Sequence, residues 1–381
     1  MDPDRFVDAT YGSVIKTPGR FGYYAFRPAP IPRRLQLADR TITLMSEADR
    51  ALGRLAGAGR ILPNPHLLVR PYLTREALAS NRIEGTQASL SDVFDVEADA
   101  RDDDDQLTEV TNYINAFEFG RQLLDELPIS TRFLCRIHET LLSGVRGQER
   151  DPGNIRRSQN WIGSADNTPD TATFVPPTID DLGGALTDLE RFIHDDNDLP
   201  PLIAMALAHY QFETIHPFLD GNGRLGRLLI VFLLMERELL PSPLLYLSGF
   251  FESHRSDYYD RLQAVRERGQ VQEWLQFFLT AVTTQATDAV DRAEQLVDLR
   301  EEYRQRLAGR RARLPEVIDL VFENPIITSQ RVASALDITD AGAKNLIRSL
   351  ADADILIEGA PTSRRKKRWI GTEVLAILDP D

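Results

Sequence analysis

Apolar residues recur at helical spacing along most of this chain, and polar residues fill the intervening positions. Leu35, Ile42, Leu44, Met45, Ala48, Leu52 and Leu55 predict a helix ended by Gly57 and Gly59. A second helix is predicted to follow Pro71 through Leu73, Ala77, Leu78 and Ile83, with Gly85 as its stop. The same periodicity predicts helices over 107–127, 131–142, 180–194, 202–215, 224–239 and 271–307. The first 32 residues are rich in Gly, Pro and aromatics and read as an extended arm or a small irregular packing element. Between 151 and 177 the pattern changes to Gly, Asn, Pro and Thr, with a β-like piece over 171–175 that predicts a hairpin or flap. After a helix at Pro315, two short helices over 328–336 and 340–353 precede strands at 355–359 and 368–370. That order is a helix-turn-helix with a β-hairpin wing.

The fold class is therefore all-α: a helical core with a β-hairpin flap, plus a small C-terminal winged helix-turn-helix domain. The expected division is an N-terminal helical region over 1–106, a catalytic body over 107–290, a helical linker over 291–312 and the winged domain over 313–381. A length of 381 residues suits two or three domains. Hydrophobic residues at 42% and charged residues at 27% exclude disorder as the bulk state. A formal charge of −14 repels nucleic acid and anionic lipid, so contact with either needs a local basic patch. One such patch exists, Arg364, Arg365, Lys366, Lys367 and Arg368 on the predicted wing, and the second short helix adds Lys344, Asn345 and Arg348.

Cys135 is the only cysteine, which excludes an internal disulfide framework and suits a reducing compartment. Its apolar neighbours Phe133, Leu134 and Ile137 make it a core residue rather than a nucleophile. The chain starts without the basic and apolar segments of a signal peptide. Its longest apolar run, 228–235, is shorter than the roughly 20 residues of a membrane span. A soluble cytoplasmic protein with no membrane contact is expected. The acidic block 102–105 reads as a solvated loop, and His66, His138, His194, His209 and His254 lack metal-ligand spacing, so no zinc is expected.

Chemistry is concentrated in His216-Pro217-Phe218-Leu219-Asp220-Gly221-Asn222-Gly223-Arg224-Leu225-Gly226-Arg227. Gly221 and Gly223 allow close backbone approach where a helix begins, and the positive end of that helix forms an anion seat. Arg224 and Arg227, three apart, lie on one helical face and match the spread charge of a polyphosphate. Asp220 offers a hard oxygen ligand for Mg²⁺. His216, at the end of the preceding helix, is placed to accept a proton, and Phe218 is the loop anchor.

These twelve residues resemble the signature of the Fic proteins, H-P-F-x-[D/E]-G-N-G-R-x-x-R, at every defined position. Similarity extends to 159–163, to 174–177 and to 247–248, and the family body is expected to cover about 73–278. The resemblance implies a protein adenylyltransferase that moves AMP from ATP, with Mg²⁺ or Mn²⁺, to a Ser, Thr or Tyr hydroxyl of a target protein and to itself. His216 is then the base and Asp220 the metal ligand. Asn222, Gly221 and Gly223 hold the α- and β-phosphates, Arg227 holds the γ-phosphate, and Leu225 and Gly226 complete the phosphate-binding segment. Gly223 argues against the related Doc-type kinases, which carry Lys there.

By the same resemblance Thr173, Phe174 and Val175 form a flap that docks the target by a strand-like contact, and Tyr258 and Tyr259 lie where relatives line the adenine pocket. Core packing is the competing reading for both tyrosines. Ser80-Asn81-Arg82-Ile83-Glu84-Gly85 is similar to the family's inhibitory helix motif, so Glu84 is expected to pair with Arg227 in place of the γ-phosphate. The rival readings are a DNA-binding regulator whose Fic body senses a nucleotide, a Doc-like phosphotransferase, and removal of AMP from targets. Whether the winged domain takes DNA or protein, and whether the chain is a homodimer, stay open.

Overall fold

The computed structural model describes residues 1–19, 22–61, 66–98, 104–163, 168–195, 198–240, 242–309, 313–360 and 367–380. In chain order they form β1 (Gly12–Lys16), β2 (Tyr24–Pro28), α1 (Asp39–Ile61), α2 (His66–Ile83), α3 (Leu90–Glu97), α4 (Asp105–Leu123) and α5 (Thr131–Leu141). There follow α6 (Ile179–His194), α7 (Pro201–Ile215), α8 (Asn222–Glu236), α9 (Ser248–Ser253), α10 (Arg255–Arg268), α11 (Val271–Arg306) and α12 (Leu314–Glu323). The chain ends in β3 (Ile326–Ile327), α13 (Ser329–Leu336), α14 (Asp340–Ala351), β4 (Ile357–Gly359), β5 (Arg368–Ile370) and α15 (Thr372–Leu378). Two compact units result. The first gathers 1–51, 115–238 and 250–284, and the second 52–114, 239–249 and 285–381.

In the first unit α7 is buried from Leu202 to Ile215 and α8 from Leu225 to Leu234, so both are central helices without a solvent face. Gly226 lets them approach: a β-carbon there would lie 2.4 Å from Oε1 of Glu213. The N-terminal stretch is not irregular. β1 and β2 pair antiparallel with Val14 opposite Phe26, and Phe26, Ala25 and Met1 pack on Phe174 and Val175. The flap region is less regular than expected, its only described pairing being the single antiparallel bridge between Ile162 and Phe174.

Local stop signals were overridden in two places. α1 runs through Gly57 and Gly59 to Ile61, and α2 begins at His66 with Pro71 inside it. A glycine costs a helix only about 1 kcal/mol, which burial of neighbouring apolar residues outweighs. Of the acidic block, Asp104 has a structural task, its carboxylate accepting the Leu107 N–H at 3.1 Å as α4 starts. α3 is an unforeseen helix, begun by a reciprocal Ser89–Asp92 capping box that is legible in the sequence. α10 was also unforeseen.

The second unit joins α2 and α3 to the winged domain, whose antiparallel sheet has the order β3-β5-β4 with Ile327 and Glu358 both opposite Trp369. The last carbonyls of a helix lack intrahelical partners. At α3 they are met from the winged domain: Asn324 Nδ2 donates to Phe94 O (3.0 Å), Arg331 Nη1 to Glu97 O (2.9 Å) and Thr328 Oγ1 to Ala98 O (3.2 Å). Arg368 makes a buried ion pair with Asp95 at 2.8 Å. The segment expected as a helical linker over 291–312 is, through Arg306, the end of one 36-residue helix. Arg368→Ala breaks the buried ion pair with Asp95 and is expected to lower the unfolding free energy by about 3–5 kcal/mol. Urea denaturation measures this, and a loss below about 1 kcal/mol, the ceiling for an exposed pair, would contradict it.

Candidate active site

α7 ends where His216 turns left-handed (φ 47°, ψ 63°), a conformation uncommon for a residue with a side chain. The turn is held from outside. The His216 carbonyl accepts from Arg156 Nε (3.0 Å) and Asn160 Nδ2 (3.1 Å), and the Arg156 N–H donates to Pro217 O (3.0 Å). Arg156 also donates from Nη2 to Pro177 O (2.6 Å), which ties the loop to the flap, and burial pulls its guanidinium down to about 10. Phe218 is buried, in keeping with an anchor, and its ring stacks on His138 with centroids 3.9 Å apart.

Asp220 is at the mouth, its side chain 38% exposed, with Oδ1 accepting the Gly221 N–H (2.6 Å) and lying 3.6 Å from Arg224 Nη2. Gly221 is left-handed (φ 74°, ψ 2°), and α8 starts at the next residue, so the first-turn amides of Asn222, Gly223 and Arg224 form the positive helix end. Arg224 and Arg227 are both buried on that first stretch of α8. The loop therefore brings His216, Asp220, Gly221, Gly223 and the two arginines into one continuous turn and helix start.

Three of the expected phosphate ligands have other tasks. The Asn222 side chain staples the loop, Oδ1 accepting the Phe218 N–H (2.9 Å) and Nδ2 donating to Phe218 O (2.8 Å). The Leu225 N–H donates to Gly221 O (3.0 Å) and its side chain is buried. Gly226 packs on α7, and its carbonyl accepts from His209 Nδ1 (2.9 Å).

His209 Nε2 in turn takes the hydroxyl of Tyr258 (2.9 Å), and Tyr258 is buried against Phe251 and Trp274, which favours the core-packing reading. Tyr259 is 41% exposed, with Arg255 5.8 Å over its ring. Burial lowers His209 to about 3, far below the ordinary imidazole value. The depressed value means the unfolded chain binds the proton first. His209 therefore contributes stability that is complete above about pH 6.5 and is lost as pH falls through the folded value. Unfolding free energies measured from pH 7 to pH 4 are expected to fall less steeply in His209→Gln than in the parent; equal slopes would show that His209 carries none of the acid sensitivity.

Comparison with known proteins agrees with this loop. The Fic/DOC family N-terminal model matches residues 42–122, and the Fic/DOC family model matches 128–234, which includes every residue of the loop. Over these residues the chain carries the domains of the Fic/DOC family. It is 32% identical over 167 residues to the protein adenylyltransferase Fic of Drosophila grimshawi and 31% identical to that of Drosophila melanogaster. These alignments take in 43% of this chain but only 30% and 29% of the two fly proteins. A Fic family protein of Desulfovibrio desulfuricans G20 shares the fold, with a TM-score of 0.59 and 22% identity over 88% of this chain and 97% of that one. A Fic domain-containing signaling protein of Bacteroides thetaiotaomicron gives 0.51 and 19% over 68% and 97%. An HTH DNA binding domain model matches 314–355.

Several backbone groups of the flap are already engaged within the chain. Phe174 exchanges both of its backbone groups with Ile162, and Val175 O accepts the Phe26 N–H at 2.9 Å. Phe174 and Val175 are buried, and only Thr173 of the expected trio is exposed.

The segment resembling the inhibitory motif closes α2. Ser80 and Asn81 are buried, the Glu84 N–H donates to Asn81 O (3.0 Å), and Gly85 takes φ +104° as the stop. Arg82 donates twice to Ala88 O, and Thr86 Oγ1 donates to Glu109 (3.0 Å). Two turns earlier the buried Glu76 accepts from the Ser248 N–H (3.0 Å), the Ser248 hydroxyl and the Tyr113 hydroxyl (3.0 Å). Glu84 is therefore carried on a firmly seated helix end.

Lys344, Asn345 and Arg348 form an exposed stripe of α14, with Lys344 paired to Asp340 (2.6 Å). Arg368, buried against Asp95, is withdrawn from any phosphate, and Lys367 is exposed and paired with Glu358 (3.0 Å). Arg364, Arg365 and Lys366 lie outside the described residues. Sequence reasoning missed His138 and Arg156 as supports of the loop; Asn160 lay in a stretch already similar to the family. Among the described residues no helix is long and apolar enough to cross a membrane.

Proposed function

We propose that this chain transfers AMP from ATP to a hydroxyl side chain of a target protein and of itself. The observation that carries the reading is the unbroken series from His216 to Arg227, in which a proton acceptor, an exposed carboxylate and a helix start with two arginines adjoin. The names of the fly relatives support it, and the chain spans only about a third of their length.

The chemistry follows from the placement. The target hydroxyl oxygen bonds to the α-phosphorus, His216 takes the hydroxyl proton, and the bond to the oxygen bridging the α- and β-phosphorus breaks. Pyrophosphate leaves with the electron pair. The amides of the α8 start and the guanidiniums of Arg224 and Arg227 bind its charge. Asp220 alone fits Mg²⁺ or Mn²⁺ that arrives on the nucleotide, since a cation of this kind uses one or two carboxylates together with phosphate oxygens. Among the described residues no cluster of three or more His, Cys, Asp or Glu offers a cage of its own. When bound, the cation supplies neutralisation of phosphate charge.

Glu84 is the brake in this reading, its carboxylate competing with the γ-phosphate for Arg227. Incubating the Glu84→Gly protein with ATP labelled at the α-phosphate, or at the γ-phosphate, tests the whole proposal. Label from the α-position and a mass gain of one AMP are expected. Transfer of the γ-label alone would make the chain a phosphotransferase of the Doc type.

The exposed Lys344, Asn345 and Arg348 stripe, within a matched DNA-binding helix-turn-helix, favours a second property beside transfer: binding of duplex DNA. A gel shift that weakens with salt and with Lys344→Ala supports it; unchanged binding in that variant points to a different surface.

A further inference from the structure

We infer that His138, outside the signature, is a positioning residue that sets the orientation of the Asp220–Gly221 peptide and thereby the aim of the Asp220 carboxylate. This rests on the transfer reading above only for what the carboxylate does.

His138 is on α5 and is wholly buried. Its two ring nitrogens have different partners. Nδ1 lies 2.9 Å from the Gly153 N–H, and Nε2 lies 2.9 Å from the Asp220 carbonyl. A backbone N–H only donates and a carbonyl only accepts, so Nδ1 is bare and Nε2 carries the hydrogen. The neutral ring is locked in one tautomer. Stacking on Phe218 fixes the ring plane, and the lack of a side chain at Gly221 makes room, since a β-carbon there would sit 3.2 Å from Nε2.

The Asp220–Gly221 peptide needs such a hold. Gly221 has the angles of the third residue of a type II turn, and that turn differs from type I chiefly by reversal of its central peptide. Glycine tolerates either state, so the loop itself selects neither strongly. Reversal would exchange the faces of Asp220 O and the Gly221 N–H, break the 2.6 Å bond from that N–H to the Asp220 carboxylate, and turn a carbonyl dipole toward the acid. The donated bond from His138 holds one state. His138 is thus a device for aiming Asp220, not a group that meets the nucleotide.

Two substitutions separate this role from simple packing. The carboxamide of Asn overlays Nδ1 and that of Gln reaches the place of Nε2, so only Gln restores a donor to Asp220 O. In the Glu84→Gly background, His138→Asn is expected to raise the KM for Mg²⁺·ATP, and the Mg²⁺ needed for half-maximal rate, by about tenfold, the effect of one hydrogen bond near 1.4 kcal/mol. His138→Gln is expected to recover most of that. Amide exchange at Gly221 and Asn222 should quicken in His138→Asn and stay near the parent in His138→Gln. If both variants lower the melting temperature alike while KM and the exchange of these amides do not separate them, His138 is packing and the inference is overturned. Should the Glu84→Gly parent label nothing, the transfer reading fails by itself, and amide exchange still decides the role of His138.

Discussion

Glu84→Gly is expected to raise auto-modification by ATP about 5- to 150-fold, the span that 1–3 kcal/mol of coupling between two competing occupants supports. The brake proposed here is electrostatic: one carboxylate and one γ-phosphate compete for the guanidinium of Arg227, and removing the carboxylate leaves the phosphate unopposed. A brake needs a rigid mount. Glu84 has one, because Glu76 is tied to Ser248 and Tyr113, and Arg82 and Thr86 fix the turn behind it. Glycine at the helix end, next to Gly85, costs the fold little, and a thermal melt controls for that cost. The rate of label uptake from α-labelled ATP measures the effect, and a variant no faster than the parent sinks the brake.

The second large effect is at His216. His216→Ala is expected to lose about 10²- to 10⁴-fold in transfer, the usual contribution of a positioned base, while ATP affinity stays within a fewfold of the parent. The separation follows from geometry, since the phosphate-facing amides and arginines belong to α8 and the imidazole to the turn before it. One control is required by the backbone. His216 is left-handed, where alanine costs about 1–2 kcal/mol, so His216→Asn, which tolerates that conformation, removes the base without straining the turn. Calorimetric ATP binding with label transfer reads both quantities in both variants. Undiminished transfer in His216→Asn would remove the base assignment.

The helical body was legible because its apolar residues keep the 3.6-residue period. α5, α6 and α7 fall within two residues of their expected bounds. The winged domain was legible for the same reason, with two short amphipathic helices and two strand-like runs. Elements that break the period went unread: the β1–β2 hairpin, whose strands are only five residues each, and α10, whose surface is mostly polar. Glycines and Pro71 misled at α1 and α2, since a local stop signal weighs little against burial.

What the residues determined by themselves was the order of chemical groups from His216 to Arg227, because a turn and the helix after it are local and adjacent side chains cannot avoid one another. The folded structure decided which of the candidate side chains face outward. Asn222 turned in to staple Phe218, Tyr258 was taken by the core, and Arg368 was claimed by Asp95. The last two outcomes depend on a partner brought from elsewhere in the chain, and such a pairing leaves no periodic trace. The same is true of His138 and Arg156, polar groups that burial requires to be satisfied but whose partners only the folded chain supplies.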